Sequence, residues 1–440
     1  MNVPFLRGHV AGCLASVALI LVALPPSGAL AATRAEQQSL LEKSLSHPSD
    51  YATAFAYARV SQDLGDYEAA IGALERLLFY NPRLTRVKYE LGALYYQAHS
   101  YQLAVHYFND ALASADLDAA TKARILAALP EAKKQASPVR SWVFVQSGVR
   151  YQSNATSTPP DGTVLLGSVP PQPHSPDWNA FELAEFANES DFGGQSDNRL
   201  ETNVTGYYSE QFKFNALNVG LLSGSIGPRL ALAPDKWPGL TIKPYATGSA
   251  AWVGGDPYVA DAGSGVSLSA PFGSGLVVSP SVEWQHAAYT ADPGATLGTA
   301  NWLTTGLAVA AHMTDDLSVN ASITYRRAGD AANAWQAYDA VWGEIGFALR
   351  FAPPIDTIAQ KWTLAPFVRL SNTSFDAPDP SIAPGITRND HKWQVGAALD
   401  APLTDHLGLS LAATYERVDS SIPNYSYDNW SILFGPTARF

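Results

Sequence analysis

The chain has 440 residues and a formal net charge of −12, and 15% of its residues are charged, against about 25% in typical soluble domains. An acidic chain is a poor match for a general nucleic-acid binder, which needs a basic surface, so we expect no nucleic-acid partner. The mean hydropathy of −0.05 is too low for a helical membrane protein, and no stretch after residue 32 reaches the roughly 18 apolar residues of a spanning helix.

The N-terminus has the layout of a secretory signal peptide. Arg7 precedes an apolar run over 10–24, and a proline pair leads to Ala29-Leu30-Ala31. This pattern predicts a signal peptide over residues 1–31, cleaved after Ala31. Cleavage removes Arg7 and changes the net charge from −12 to −13. It also removes Cys13, the only cysteine, so we expect neither a disulfide, nor a metal site, nor a cofactor in the mature chain.

A repeat with a period of 34 residues follows a short predicted helix over 33–46. The matched pairs are Pro48 and Pro82, Ala58 and Gly92, Tyr67 and Tyr101, Ala70 and Ala104, Leu74 and Phe108, and Leu77 and Ala111. These positions resemble the tetratricopeptide repeat (TPR), with small residues where two helices cross and aromatic residues between them. The early-helix tryptophan of that family is absent, and Asp116 stands where a third proline would be.

The resemblance implies two repeats over 49–116, closed by an end helix over 117–134 that shields the array from solvent. We therefore expect an all-α TPR-like domain over 33–135 and a hinge over 136–140. A partner-binding concave face is one interpretation of the polar and aromatic helix positions, and a plain scaffold is the other. The candidate residues for such a face are Phe55, Arg59, Gln62, Asp63, Arg86, Tyr89, Tyr96 and Gln97.

From residue 141 onward the sequence alternates between apolar and polar residues in segments of about 10 to 16 residues, a length typical of transmembrane β-strands. The predicted strands are 141–152, 177–188, 199–211, 216–231, 240–253, 258–270, 275–289, 299–313, 316–328, 336–351, 360–371, 389–401, 406–418 and 429–440. The fold class is accordingly α+β multidomain, with a helical unit followed by a transmembrane antiparallel β-barrel of about 14 strands over 141–440.

The connections between these strands assign the two sides of a membrane. Tight turns at 271–275, 314–316 and 404–406 alternate with longer connections such as 372–389. Outer-membrane barrels have short periplasmic turns and longer external loops. Both the start of the first strand and Phe440 then belong in the periplasm, which requires an even number of strands. We expect an outer-membrane barrel with its N-terminal domain in the periplasm.

The last strand is the clearest of the fourteen. Trp430, Ile432 and Phe434 alternate with small or polar residues, with Leu433 as the apolar exception, and the strand ends on an aromatic residue. This ending resembles the strand by which bacterial outer-membrane barrels are recognised for assembly. The resemblance implies that Trp430, Phe434 and Phe440 form a barrel-assembly signal. Outer-membrane lipid and the barrel-assembly machinery are the implied partners.

Charged and polar residues within the strands are candidates for a polar lumen. They either fill and hydrate the interior with ion pairs, or line a path for transport. The candidates are Arg150, Glu201, Glu210, Lys243, Glu283, His286, Arg326, Glu344, Arg350, Arg369, Lys392, Gln394, Glu416 and Arg439.

The sequence holds no signature of catalysis. There is no G-x-S-x-G, no H-E-x-x-H and no glycine-rich phosphate loop. Glu283 and His286 form the nearest approach to an acid–base pair, but residues three apart on a strand face opposite sides. We expect no enzyme.

A signal peptide, a short TPR unit and a C-terminal barrel together resemble the surface lipoprotein assembly modulator (Slam) family. The most similar segments are 65–111, Val149–Asn154 and Tyr427–Phe440. The resemblance implies an outer-membrane translocator that delivers a partner protein to the cell surface, with the TPR unit receiving cargo or a periplasmic chaperone. The alternatives are an exopolysaccharide export porin and a passive channel with a TPR scaffold.

Overall fold

The computed structural model describes residues 33–47, 50–98, 100–159, 174–192, 198–234, 236–273, 275–290, 298–329, 334–355 and 357–440. These residues form two compact units, a helical unit that ends at Arg140 and a β-unit over Ser141–Phe440. The predicted signal peptide and Cys13 lie outside the described residues.

The helical unit contains six helices within the described residues. They are α1 (Arg34–Ser46), α2 (Tyr51–Asp63), α3 (Tyr67–Tyr80), α4 (Thr85–Gln97), α5 (Tyr101–Leu112) and α6 (Ala119–Ala136). Asp50, Asp66 and Asp118 each begin a helix and accept a hydrogen bond from a backbone N–H of its first turn. None of the helices described in this structure is both long enough and apolar enough to cross a bilayer.

The 34-residue period of the sequence recurs in the helices. α4 starts 34 residues after α2, and α5 starts 34 residues after α3. Equivalent residues occupy equivalent buried sites, as Leu74 and Phe108 do in two hydrophobic clusters. At Gly92 an added Cβ would lie 2.5 Å from the Phe108 ring, so only glycine allows α4 and α5 to approach this closely. The Asp116 carboxylate, at the expected third proline position, accepts a hydrogen bond from the Thr85 hydroxyl at the start of α4.

The β-unit is a closed antiparallel barrel in which each strand pairs with its sequence neighbours and β1 pairs with β14. The described residues form fourteen strands, which confirms the predicted order of N-terminal helices followed by an antiparallel barrel of about 14 strands. The strands are β1 (Val139–Gln152), β2 (Asp177–Asp191), β3 (Arg199–Gln211), β4 (Val219–Ala231), β5 (Thr241–Val253), β6 (Asp256–Phe272), β7 (Leu276–Tyr289), β8 (Thr299–Thr314), β9 (Leu317–Gly329), β10 (Tyr338–Phe351), β11 (Trp362–Phe375), β12 (Asn389–Pro402), β13 (Leu407–Ser420) and β14 (Tyr427–Arg439).

The two ends of the barrel differ in their connections. β1 begins and β14 finishes at one end, which we call the terminal end. The tight connections 273–275, 315–316 and 403–406 lie there, whereas the long connections 153–176 and 376–388 lie at the opposite end. The alternation is not complete, because the longer connections 192–198, 232–240 and 352–361 join strands at the terminal end and the two-residue turn 254–255 is at the opposite end. Gly254 and Gly255 both have positive φ, as a two-residue hairpin turn requires.

The outward surface of the barrel is apolar between two bands of large side chains. Near the opposite end, Trp393, Tyr415 and Trp430 lie side by side, with ring centroids 5.0 and 4.7 Å apart. At the terminal end, Phe440 is 67% exposed. Ten residues separate Trp430 from Phe440, and a strand tilted by about 40° rises roughly 25 Å over that length. The apolar band therefore has the height of a hydrocarbon layer.

Candidate functional site in the lumen and on the helical unit

Burial alternates clearly along strands such as β2 and β14 and separates an outward from a lumen-facing set there. On β14, Trp430, Ile432 and Phe434 are 55%, 51% and 50% exposed, whereas Asn429 is 6% exposed. Residues directly opposite in an antiparallel pair share a face, so the register carries this assignment around the whole barrel.

The register places twelve of the predicted lumen candidates on the lumen face. They are Arg150, Glu201, Lys243, Glu283, Arg326, Glu344, Arg350, Arg369, Lys392, Gln394, Glu416 and Arg439. Two predicted lumen residues were wrong. Glu210 shares the outward face of Tyr208, and His286 shares that of Trp284 and bonds to Asn301 at 2.9 Å. Both lie near strand ends, where the outward surface becomes polar, so alternation of apolar and polar residues no longer marks the face.

A first group of lumen charges joins strands β3, β4 and β5. The Glu201 carboxylate lies 2.6 Å from Arg229 Nε and 2.9 Å from Lys243 Nζ. The three side chains are 19%, 23% and 16% exposed, so they are largely shielded from solvent. One carboxylate is thus shared by two cations. Arg229 was not among the predicted residues, although it lies in a predicted strand.

A second group joins strands β10 to β13. Arg369 Nε donates to Glu344 at 2.7 Å, and Arg369 Nη1 donates to the Gln394 side-chain oxygen at 3.3 Å. Next to it, Lys392 Nζ lies 3.0 Å from Glu416. The group pairs two cations with two carboxylates, and it crosses four strands whose residues are as far as 72 positions apart, from 344 to 416.

Aromatic residues connect the two charged groups along the lumen wall. Lys243 lies 6.0 Å from the Tyr245 ring, and the Tyr245 hydroxyl donates to Glu283 at 3.1 Å. Arg326 lies 4.9 Å from the Trp302 ring and 5.6 Å from the Trp342 ring. The lumen therefore carries a belt of ion pairs and aromatic faces from β3 to β13.

Three predicted lumen residues lie outside that belt. Arg150 donates to the Tyr207 hydroxyl at 3.0 Å. Arg439 pairs with Asp400 and lies 5.4 Å from the Phe144 ring. Arg350 is on the lumen face opposite Thr363. The contacts of Arg150 and Arg439 anchor these two side chains to the wall on either side of the strand seam between β1 and β14.

The lumen wall offers polar and aromatic contacts. Glu283 faces the lumen and His286 faces outward, as the strand period predicts. Within the part of the chain that the structure describes, no cluster of three or more His, Cys, Asp or Glu residues has the geometry of a metal site. A wall of this kind interacts with polar solutes or polymers through charges and ring faces.

On the helical unit, α2 and α4 present a common face. The Gln62 side chain donates to the Gln97 side chain at 2.8 Å, and the Arg86 guanidinium lies 5.5 Å from the Phe55 ring. Arg59 and Asp63 are exposed on the same helix as Gln62. All eight predicted partner-binding residues lie on these two neighbouring helices. Six of them, all except Tyr89 and Tyr96, form the solvent-accessible surface of this face.

The remaining two, Tyr89 and Tyr96, contribute more to packing. Tyr89 lies 6.4 Å from Phe108 and Tyr96 lies 5.3 Å from Tyr101, and both tyrosines pack against the second hydrophobic cluster. Burial raises the pKa of the Tyr96 hydroxyl, and Glu131 on α6 adds to that effect. Both side chains remain partly accessible, so they border the face rather than form its open surface.

Sequence reasoning missed a central residue of this face. Glu90 on α4 is half-buried, with Arg86 3.9 Å away and Arg124 of α6 acting on its charge. Burial raises the pKa of the Glu90 carboxyl, and the two arginines oppose that shift. The face therefore extends over α2, α4 and α6, and we call it the shared face. The sequence signal that identifies Glu90 is its i, i+4 spacing from Arg86.

The residues of the proposed assembly signal lie on the outside of the last strand. Trp430 and Phe434 face outward. Phe440 exchanges backbone hydrogen bonds of 3.0 Å with Val143, and its ring stacks on His406 at 6.0 Å. The final residue thus completes the ladder to β1 while its ring stays at the outer surface.

No known family profile and no curated protein sequence matches the chain. Its fold is similar to solved barrel structures, at TM-scores well below those of close structural relatives. The anion-selective porin from Comamonas acidovorans has 9% identity and a TM-score of 0.35, over 69% of this chain and 99% of that one. The outer-membrane channel DcaP of Acinetobacter baumannii has 9% identity and a TM-score of 0.38, over 69% of this chain and 97% of that one. Pseudomonas putida OprB has 9% identity and a TM-score of 0.36, over 72% of this chain and 97% of that one.

Proposed function

We propose that the barrel spans the bacterial outer membrane and serves as a translocator or assembly factor that delivers a partner protein to the cell surface. The observation that carries the membrane placement is the inverted polarity of the barrel. Its outward face is apolar over about 25 Å, and its lumen holds the ion pairs. A soluble barrel would place its apolar residues inside.

The connections set the direction of insertion. Tight turns gather at the terminal end and the long connections 153–176 and 376–388 at the opposite end. By the usual asymmetry of outer-membrane barrels, the terminal end faces the periplasm. The helical unit, which directly precedes β1 in the chain, is then periplasmic. The outward residues of β14 are the surface we assign to recognition by the barrel-assembly machinery.

The helical unit supports the recruiting role. Its 34-residue repeat and its aromatic, half-buried contacts favour a TPR-like array. The shared face combines arginines, amides and an aromatic ring on a rigid scaffold, which suits an extended peptide segment of cargo or of a periplasmic chaperone. This is the feature that favours a protein client.

Two strains test the role of the helical unit in cells. One carries the deletion of residues 33–135, and the other carries Arg86→Glu, which reverses a charge on the shared face. Lys43→Glu is the matched control, because Lys43 is an exposed cation on α1. Surface proteomics should find one or a few specific proteins lost in the deletion and reduced in Arg86→Glu, with Lys43→Glu unchanged. An unaltered surface proteome in the deletion strain rules out the delivery role.

A specific observation favours a second candidate, the export of a polysaccharide. Trp302 and Trp342 flank Arg326 on the lumen wall, and aromatic faces of this kind stack on sugar rings as well as on peptide groups. If the deletion strain keeps its surface proteins but loses a capsular or matrix sugar, the export role replaces protein delivery. If both stay intact, a passive channel with a helical scaffold is the remaining function.

A further inference from the structure

The end of α3 presents two adjacent aromatic side chains to solvent. Phe79 is 82% exposed and Tyr80 is 55% exposed, and their rings meet edge to face with centroids 5.6 Å apart. At these exposures most of the Phe79 side chain and more than half of the Tyr80 side chain stay in contact with solvent. Neither side chain belongs to the shared face, which is built from α2, α4 and α6.

The same segment is a local concentration of positive charge. Residues 76–88 contain Arg76, Arg83, Arg86 and Lys88 and no acidic residue, in a chain with 40 acidic and 28 basic side chains. Arg86 is engaged by Phe55 and Glu90 on the shared face. Arg76 precedes the aromatic pair by three residues and Arg83 follows it by three. The acidic neighbour of Arg76, Glu75, accepts a hydrogen bond from the Tyr95 hydroxyl of α4.

The segment is held in a defined shape. The Asn81 backbone N–H donates to the Leu77 carbonyl at 2.9 Å, and the Asn81 side chain accepts from the Arg83 N–H at 3.1 Å. The aromatic pair is therefore presented on a fixed tip, which we call the α3 tip and define as residues 76–83.

We propose that the α3 tip docks on the anionic phospholipid surface of the membrane that the barrel spans, an inference that rests on the proposed function. Amphipathic aromatic rings favour the headgroup level of a bilayer, and flanking arginines attract lipid phosphates. The charge of the tip is complementary to such a surface. Only Ser137 and Pro138 separate α6 from β1 in the chain.

Docking would fix the helical unit against the bilayer and leave the shared face on α2, α4 and α6 free for a client. Two exposed rings flanked by two cations suit a lipid interface, because each side chain can insert between lipid headgroups on its own. A partner protein at the tip is the competing occupant, and the experiment below separates the two.

The test is spin-label depth measurement on the mature full-length protein in nanodiscs. The mature chain contains no cysteine, so Pro82→Cys places a single label at the tip without changing an aromatic residue or a cation. Ala127→Cys, exposed on α6, is the matched control site. Collision rates with oxygen, which concentrates in lipid, and with a nickel chelate, which stays in water, report the depth of each label.

In nanodiscs with phosphatidylglycerol, the Pro82 label should be protected from nickel and accessible to oxygen, while the Ala127 label stays aqueous. Each arginine near an anionic surface contributes roughly a fivefold factor to binding, so Arg76→Gln with Arg83→Gln should lower the docked-to-free ratio by about 25-fold. Phe79→Ser with Tyr80→Ser should also release the tip, and phosphatidylcholine nanodiscs should weaken docking.

Equal nickel accessibility at Pro82 and Ala127 in anionic nanodiscs, with the barrel inserted, overturns the docking proposal and leaves the proposed function standing. Protection at Pro82 that appears only after a periplasmic extract is added also overturns it, in favour of a protein partner. A barrel that does not insert into nanodiscs overturns the membrane placement on which both proposals depend.

Discussion

The helical unit and the barrel handle apolar side chains in opposite ways. In the helical unit, Leu74 and Leu91 are 1% and 0% exposed and form the centre of a core. In the barrel, Ile432 and Phe434 are about half exposed on the outside, while the lumen face carries Glu201, Arg369 and their partners. One chain is thus built for two solvents, water around the helices and hydrocarbon around the strands. The same type of substitution should therefore have different effects in the two units.

The largest expected effect is in the core of the helical unit. Leu91→Ala should destabilise that unit by about 2–5 kcal/mol, because the cavity lies in a cluster where Leu91 is fully buried. Leu126→Ala on α6 is the control, since Leu126 is 52% exposed and should change the stability by less than about 0.5 kcal/mol. The measurement is urea unfolding followed by circular dichroism at 222 nm, which reports the helices. Equal effects of the two substitutions would contradict the packing described.

A substitution pair on β14 tests the reversed polarity of the barrel. Ile432→Arg places a charge at the middle of the outward face and should cost about 2–4 kcal/mol in a lipid bilayer. Leu433→Arg places the same charge one residue further, on the lumen face, and should cost far less. Unfolding of the barrel in lipid vesicles, measured by its changed migration on unheated gels, checks both. If Leu433→Arg were the more damaging variant, the face assignment would be reversed.

The approach of α4 to α5 gives a smaller effect. Gly92→Ala should destabilise the helical unit by about 1–3 kcal/mol, because its Cβ would lie 2.5 Å from the Phe108 ring. Gly72→Ala is the matched control, since nothing lies within 4 Å of the added atom. At that exposed helical position alanine should stabilise by about 0.5–1 kcal/mol. Opposite shifts of the thermal midpoint at 222 nm are expected, and shifts of the same sign would argue against close helix contact.

The smallest expected effect is a pH dependence confined to the helical unit. The Gln37 amide, assisted by Arg34, holds the pKa of the Asp66 carboxyl below its ordinary value of 3.8. A carboxyl with a lowered folded-state pKa stabilises the fold above the unfolded value and loses that contribution as the pH falls through the folded value. The thermal midpoint of the helical unit should therefore decrease as the pH is lowered below about 4.

Asp66→Asn should reduce this acid sensitivity, whereas Asp63→Asn, at an exposed position on α2, should retain it. Thermal scans at 222 nm between pH 6 and pH 3 compare the three proteins. An unchanged acid profile in Asp66→Asn would mean that another group governs it. The effect is modest because Asp66 is partly exposed and solvent screens its contacts.

The sequence determined the strands of the barrel to within four residues at each boundary, because a period of two along a strand follows directly from backbone geometry. The number of strands and the face of most lumen residues follow from that period. The same local rule placed Glu210 and His286 on the wrong face, since near strand ends polarity no longer separates lumen from outside. The 34-residue period likewise predicted the helix spacing.

Only the tertiary structure decided which side chains meet. Arg150 bonds to Tyr207, 57 residues away, and Ser153 bonds to Asn429, 276 residues away across the closing seam. Glu201 forms ion pairs with Arg229 and Lys243, which lie on two further strands. Glu90 interacts with arginines of two different helices. These pairs depend on the register between strands and on the crossing of helices. Both are set by the packing of the whole unit, and a local sequence pattern does not contain them.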